Sequence, residues 1–406
     1  MRRHRGLGTP AINQFGWRFD TAPDVSGVRN LHEGIAAGAL SRAVERAWFP
    51  IARDRWSRSA DAAPLHVEPE PITDVLGWLD GRVSADFDPA TGRAWQLSFA
   101  RTTEGGAVLS LVAAHAIADG AALIDAVVRA DAGDPAPVPE RAPLLSAVLD
   151  DIGDGLDQIR AAARWAITRE RGKGGAAPAK ARPEAPESWR TPHVVVECDS
   201  DVLAETAAAH GGSVNSLFVA ALSRIAAAAG CADDVVPAAL PVSGREPGDV
   251  RANSTRIAVA ALDRAVLDAR DLSAVKAECK RAYQRLAATS SAAQPLALVQ
   301  MLPDAVVRRL PPPPAATVLA SNLGEVPREL CGVPVRSTSA TAHYPGAGPA
   351  EVATIGDGVT GWLSDSGART TISVCGLAPG RIDGVAALRE LVTAELSGWG
   401  IEVQEW

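Results

Sequence analysis

The 406-residue sequence predicts a mixed α/β protein made of two lobes of similar size. Three observations lead to this prediction. A strand-like run precedes a helix around His115, a segment rich in glycine and proline interrupts the middle of the chain, and another strand-like run opens the second half. Strands that alternate with helices are typical of α/β folds, and a glycine- and proline-rich segment is typical of a linker.

The first element is a buried strand that leads into a helix. Residues 107–114 are rich in valine and leucine and are too few for a stable helix, which favours a buried strand. Residues 121–128 have apolar side chains at helical spacing. The six residues His115-Ala-Ile-Ala-Asp119-Gly120 lie between these elements. They place an imidazole, a carboxylate and a glycine in one turn at the end of a strand, which is an arrangement suited to catalysis.

The glycine- and proline-rich segment divides the chain. Residues 172–192 show no apolar periodicity, so we interpret them as a linker. The predicted N-terminal lobe covers residues 1–171 and carries His115. The predicted C-terminal lobe covers residues 193–406.

The C-terminal lobe is predicted to begin with a strand at residues 193–198. Ser213 is suited to cap a helix that has an apolar face and ends at Gly230. Residues 360–363 and 370–375 flank an Asp-Ser-Gly turn and predict a hairpin.

Three further elements complete this lobe. Residues 317–321 predict a strand with Ser321 at its end. Asp383 is a suitable N-cap for a helix that runs to about Leu396. Residues 401–403 predict a short final strand.

Apolar content, net charge and cysteine spacing exclude several classes of protein. The hydrophobic content of 47% provides for a substantial core, and no apolar run reaches the roughly 20 residues that span a bilayer. The N-terminal arginines precede no apolar stretch, so a secretory signal is not expected and the cytoplasm is the expected location. A net charge of −8 argues against a nucleic-acid-binding surface. The five cysteines are scattered, which argues against a disulfide framework and a structural zinc site.

The pattern His115-x-x-x-Asp119-Gly120 resembles the signature of the chloramphenicol acetyltransferase-like superfamily, which includes condensation domains, polyketide-associated acyltransferases and wax ester synthase/diacylglycerol acyltransferases. Position 114 is alanine, so the resemblance is to members with a single histidine. Three later segments resemble this superfamily in its order along the chain: residues 212–222, 241–245 and 321–324. Residues 38–56 also resemble actinobacterial members.

The resemblance implies two related α/β lobes that form a V, with the active site in a channel between them. It also implies transfer of an acyl group from an acyl-CoA or acyl carrier protein thioester to a small-molecule or lipid acceptor with a hydroxyl or amine, without a metal or redox cofactor. His115 would act as the general base, since an imidazole exchanges protons near neutral pH. Asp119 would pair with an arginine and hold the loop, and either Arg245 or Arg42 is a candidate partner.

Other candidate residues have more than one interpretation each. Gly120 fits a turn that needs a positive φ, a close approach of the acyl donor, or an ordinary helix start. Ser321 and Asn322 are candidates for binding the oxyanion or the pantetheine arm, and turn capping is the alternative. His343 either lines the channel or lies in a loop.

Two basic clusters are candidates for contact with coenzyme A phosphates or with an acidic carrier protein. The first consists of Arg53, Arg55 and Arg58, and the second of Lys276, Lys280, Arg281 and Arg285. A solvated helix face is the alternative for the second cluster. For the whole protein, the alternative function is a non-catalytic relative that docks a carrier protein or binds a lipid. No Gly-x-Ser-x-Gly or phosphate-binding-loop motif is present in the sequence.

Overall fold

The computed structural model describes residues 11–49, 51–59, 61–83, 87–90, 92–168, 184–231, 234–246, 248–289 and 316–406. The strands are β1 Ile12–Phe19, β2 Arg42–Glu45, β3 Arg55–Arg58, β4 His66–Val67, β5 Trp95–Arg101, β6 Ala107–Ala114, β7 His193–Asp199, β8 Val235–Ser243, β9 Thr255–Asp263, β10 Val318–Glu325, β11 Glu329–Leu330, β12 Val333–Pro334, β13 Ser337–His343, β14 Val359–Asp365, β15 Arg369–Gly376 and β16 Gln404–Glu405. The helices are α1 Val25–Ala37, α2 Val75–Arg82, α3 Gly120–Asp131, α4 Leu144–Thr168, α5 Ser200–Ala209, α6 Val214–Ala228, α7 Arg264–Asp268, α8 Leu272–Ala288, α9 Pro349–Ile355 and α10 Val385–Gly398. The predicted mixed α/β class is confirmed.

Two sheets organise these elements. The first sheet has the strand order β13-β1-β6-β5-β4, and the second has the order β16-β7-β15-β14-β10-β8-β9. In the first sheet, Ile12 of β1 pairs with Ala114 of β6 on one side and with His343 of β13 on the other. Strands β6 and β13 therefore finish at the same end of this sheet.

Strand β13 comes from the second half of the chain but belongs to the first sheet. It hydrogen-bonds to β1 along its whole length, which pairs an edge that would otherwise be exposed. It also contacts the second sheet, where the hydroxyl of Ser364 donates to the carbonyl of Thr338 at 2.6 Å. The linker therefore does not separate the two sheets completely, because the chain returns to the first sheet after residue 336.

The core of the second sheet forms around α6. Ser213 caps this helix in a reciprocal capping box with Ser216, as its position in the sequence predicted. The helix is buried on nearly all sides, and Leu217, Phe218 and Leu222 are at most 1% exposed. Each of these side chains contributes about 1.5–3 kcal/mol on burial, so α6 is the main hydrophobic anchor of its lobe.

Other predicted elements are confirmed with changes at their ends. Strands β6, β7, β14 and β15 and helix α3 lie where the sequence predicts them. Strand β10 continues to Glu325, so Ser321 lies within it, and the prediction that it ends the strand is wrong. The N-cap of α10 is Gly384 and not Asp383. The final strand is residues 404–405 and not 401–403, because Ile401 is buried in the core after a turn at Gly400, where φ is +75°.

Part of the predicted linker packs against the protein. Residues 172–183 lie outside the described residues. Trp189 is buried, and its indole N–H donates to the carbonyl of Ile382 at 2.9 Å. All five cysteines are free thiols. Among the described helices, none combines the length and the apolar character that crossing a membrane requires.

Candidate active site

His115 lies in the loop between β6 and α3, with its backbone held and its ring free. The backbone N–H of His115 donates to the carbonyl of Ala11 at 2.9 Å. The side-chain amide of Asn253 donates to the carbonyls of His115 and Ala116 at 3.0 and 3.3 Å. The imidazole is exposed, and no described residue forms a hydrogen bond with it. The ring is thus available to another molecule while the loop that carries it is fixed.

Ala114 points to the other side of the chain from His115. Its side chain is fully buried and packs in a small cluster with Ile12, Val83, Phe87 and Val112. Neighbouring residues at a strand end point to opposite faces, which explains why the next residue is exposed. This is the orientation that a free imidazole at position 115 requires.

Asp119 joins the start of α3 to the segment that leads into β9. It is the N-cap of α3, and its Oδ1 accepts from the N–H of Ala122 at 3.0 Å. Its Oδ2 accepts from the N–H of Ser254 at 2.8 Å and from the hydroxyl of Thr255 at 3.0 Å. The N–H of Asp119 itself donates to the carbonyl of Ala252 at 2.9 Å. The carboxylate therefore fixes the start of α3 to the segment that precedes β9, and it does not contact the ring of His115.

The arginine that pairs with Asp119 is Arg245. Its Nη2 and Nε donate to Oδ1 of Asp119 at 2.9 and 3.2 Å, and both side chains are largely buried. Arg42 lies nearby but donates to the carbonyl of Val250 at 2.9 Å instead. Burial, and then the charge of Arg245, lowers the pKa of Arg42 to about 10, against the opposing effect of Asp119. Of the two candidates, only Arg245 makes the ion pair.

Gly120 lies where the second sheet contacts the start of α3. Its φ is not positive, so the interpretation as a positive-φ turn is wrong. A Cβ at this position would lie 3.1 Å from Cδ2 of Leu323. Leu323 is the extra residue of a bulge in β10, between Asn322 and Gly324. The bulge directs this side chain toward the His115 loop.

Asn322 directly precedes Leu323, the residue that contacts Gly120. Its Oδ1 accepts from the N–H of Gly324 at 2.9 Å, which supports the bulge. Its Nδ2 donates to Oδ1 of Asn215 at 3.1 Å, and the amide of Asn215 reaches the hydroxyl of Tyr283 at 3.4 Å. The side chain thus has a turn-capping contact and also carries an exposed amide group.

His343 lies at the end of β13 and not in a loop. Its Nε2 contacts Oε1 of Gln14 at 2.9 Å. Burial, and then the charge of the nearby His193, lowers the pKa of its imidazole to about 3, so the ring is neutral at physiological pH. This histidine is held by its ring, in contrast to His115.

The two basic clusters are mostly paired with carboxylates. Arg53 and Arg55 form ion pairs with Asp154 and Asp151 of α4, and Arg58 pairs with Glu140 at 3.0 Å. In the second cluster, Arg281 and Arg285 both pair with Glu278 on the exposed side of α8, at 2.8 Å each. The second arrangement fits a solvated helix face.

Several residues of this site carry no signal in the sequence. Asn253, Ser254 and Thr255 hold the loop, but no motif in the sequence marks them. Asn215 belongs to a segment that carries the resemblance, yet its contact with Asn322 joins residues 107 positions apart. Such contacts depend on how the sheets pack and leave no local pattern.

Comparison with known proteins identifies the fold. Neither the protein-family patterns nor the curated proteins give a match to this sequence. Among solved structures, the condensation domain of the monacolin K polyketide synthase MokA is similar with a TM-score of 0.56 and 14% identity, over 96% of this chain and 91% of that chain. The wax ester synthase/diacylglycerol acyltransferase from Marinobacter aquaeolei VT8 has a TM-score of 0.56 and 12% identity, over 97% and 95%. Polyketide synthase associated protein 5 from Mycobacterium tuberculosis has a TM-score of 0.54 and 15% identity, over 98% and 97%. The chain has the fold of condensation domains and wax ester synthases, as the His115 motif predicted.

Proposed function

We propose that the protein is an acyltransferase that uses His115 to move an acyl group from a coenzyme A or carrier-protein thioester to a hydroxyl or amine. One observation carries the proposal: the imidazole is exposed and unbonded among the described residues, on a loop whose backbone is held by Asn253 and by the Asp119–Arg245 pair. A general base has to reach the proton that it removes, and a fixed loop with a free ring meets this requirement. The shared fold supports the same reaction class.

The proposed reaction needs little beyond positioning and a base, since a thioester is already activated. The acceptor oxygen or nitrogen forms a bond to the thioester carbonyl carbon as His115 removes its proton. The resulting tetrahedral oxyanion collapses, and the carbon–sulfur bond breaks. The imidazolium then returns the proton to the leaving thiolate, so that the enzyme ends in its starting state.

In this mechanism Asp119 is a positioning residue. Its carboxylate is occupied by Arg245, Ser254, Thr255 and Ala122, so it holds the loop and leaves the ring to the substrate. Asn322 is the candidate donor to the oxyanion, because its amide is exposed and Leu323 beside it contacts Gly120. The thioester would then lie between the first and second sheets, in the proposed channel between two lobes in a V.

A substrate panel tests the proposal. Wild-type protein and the His115→Ala variant are each incubated with a thioester donor, either acyl-CoA of several chain lengths or acyl carrier protein. A mixture of alcohols and amines is added as acceptors. The products are identified by mass spectrometry. Wild-type protein should release free thiol and form an ester or amide, and the variant should not. Binding of the thioester without turnover for any acceptor would favour the non-catalytic alternative.

A further inference from the structure

A second group of polar side chains lies apart from His115. Asp80 of α2, His193 at the start of β7 and His343 at the end of β13 each offer one ligand atom within 4.8 Å of the others. Oδ1 of Asp80 is 3.4 Å from Nε2 of His193. The rings of His193 and His343 are 5.3 Å apart and nearly perpendicular, at 81°. Two imidazoles and a carboxylate thus converge from three separate segments.

The hydrogen bonds around Gln14 fix the tautomer of His343. Nε2 of Gln14 donates to the carbonyl of Leu79 at 2.8 Å and to the hydroxyl of Ser110 at 2.9 Å. Its Oε1 therefore faces His343 as an acceptor, and Nε2 of His343 carries the proton. The lone pair of the ring is then on Nδ1. Metal-binding histidines typically donate their other N–H to such an acceptor, which orients the ring.

The cluster is open to solvent on the side of Asp80. The side chain of Asp80 is 52% exposed, whereas that of His193 is 12% exposed, so the carboxylate is on the solvent side. Cys375 is the cross-strand partner of His193, but its thiol is directed to the carbonyl of Ala342 at 3.9 Å. The donor set is therefore two nitrogens and one carboxylate, with solvent for the remaining positions.

We propose that Asp80, His193 and His343 form a binding site for a divalent first-row metal ion, with Zn²⁺ as the ion that best fits two imidazoles and a carboxylate. Cross-strand partners share a face of the sheet, so His343 lies on the face that carries the buried Ala114. The site is separate from the exposed ring of His115. The ion links α2, which precedes the linker in sequence, to β7 and β13, which follow it. It therefore connects the two halves of the chain.

Zinc titration of chelator-treated protein tests the site. We expect calorimetry to show one Zn²⁺ bound per chain and thermal unfolding to show a higher melting temperature with Zn²⁺ than without. Asp80→Asn and His193→Asn should remove both effects, and Asp80→Asn keeps the shape of a half-exposed side chain, so it should fold. Gln14→Leu should weaken binding about 10- to 100-fold, because it removes the group that orients His343.

The matched control is His66→Asn. His66 and Glu68 form a histidine–carboxylate contact at 3.2 Å in the same half of the chain, and this variant should bind Zn²⁺ as the wild type does. Absorption spectra with Co²⁺ should show the strong bands of a four- or five-coordinate nitrogen and oxygen site. The proposal is overturned if the wild type binds no Zn²⁺ at one per chain, if both ligand variants keep the binding, or if the Co²⁺ spectrum shows thiolate ligation.

Discussion

His115 and His343 lie at the same end of the first sheet, but the fold holds them through different atoms. The strands that lead to them, β6 and β13, flank β1 and end opposite the same residue, Ile12. His115 is held through its backbone, and its ring is exposed and unbonded among the described residues. His343 is held through its ring, which bonds to Gln14 in a buried position. The role of a histidine therefore follows from which of its atoms the fold uses.

The difference has a structural cause. His115 is the first residue after its strand, so its ring leaves the sheet, and Ala114 takes the buried position in its place. His343 is still part of its strand, and its ring lies beside the buried polar side chain of Gln14. A shift of one residue in where the strand ends therefore changes a buried, oriented ring into a free one.

The largest effect is expected on the free ring. His115→Ala should lower the rate of acyl transfer by about two to four orders of magnitude, the range for losing a positioned acid–base group. The melting temperature should stay the same, because the ring has no hydrogen bond within the described structure to lose. Steady-state kinetics and thermal unfolding measure the two quantities. A rate close to that of the wild type, or an unfolded variant, would contradict the role assigned to His115.

The next largest effect is expected on the support of the His115 loop. Asp119→Ala should lower the free energy of unfolding by about 3–5 kcal/mol, because it leaves the charge of Arg245 buried without its partner. Denaturant unfolding measures this change, and the double variant Asp119→Ala/Arg245→Ala should lose less than the sum of the two single variants. Arg281→Ala, which removes an exposed ion pair with Glu278, is the control and should change stability little. Equal stability of Asp119→Ala and the wild type would mean that the loop is held in another way.

The third prediction separates the two interpretations of Asn322. Asn322→Ala should lower the rate about tenfold to a thousandfold if its amide donates to the oxyanion. Asn322→Asp keeps an oxygen acceptor for the N–H of Gly324 but has no amide donor, so it should lower the rate as well. Kinetics of both variants with one thioester test this expectation. Full activity of Asn322→Asp would show that the side chain serves only the bulge.

The smallest effect is expected from removing Gln14, which holds the ring of His343. Gln14→Leu should lower the free energy of unfolding by about 1–3 kcal/mol, because Leu79, Ser110 and His343 each lose a buried hydrogen-bond partner. Denaturant unfolding in the presence of a chelator isolates this effect from bound metal. Gln284→Ala, at an exposed position on α8, should leave stability unchanged. A Gln14→Leu variant as stable as the wild type would show that the ring of His343 is not held by this contact.

The local elements of the site follow from short stretches of sequence. The strand before His115, the helix after Gly120, the cap at Ser213 and the hairpin around residues 364–369 all depend on periodicity and turn residues within short windows. The motif around His115, together with the other segments that resemble the same superfamily, predicted the fold that the solved structures share.

The choice of which distant residues meet is made by tertiary packing. It selected Arg245 over Arg42, placed β13 in the first sheet, and brought Asp80 and His193 together with His343. A pattern along the chain reports which face a side chain takes, but not which of several buried partners it reaches. That choice depends on how the sheets and helices pack, because contacts between residues more than 100 positions apart are set by packing and not by local sequence.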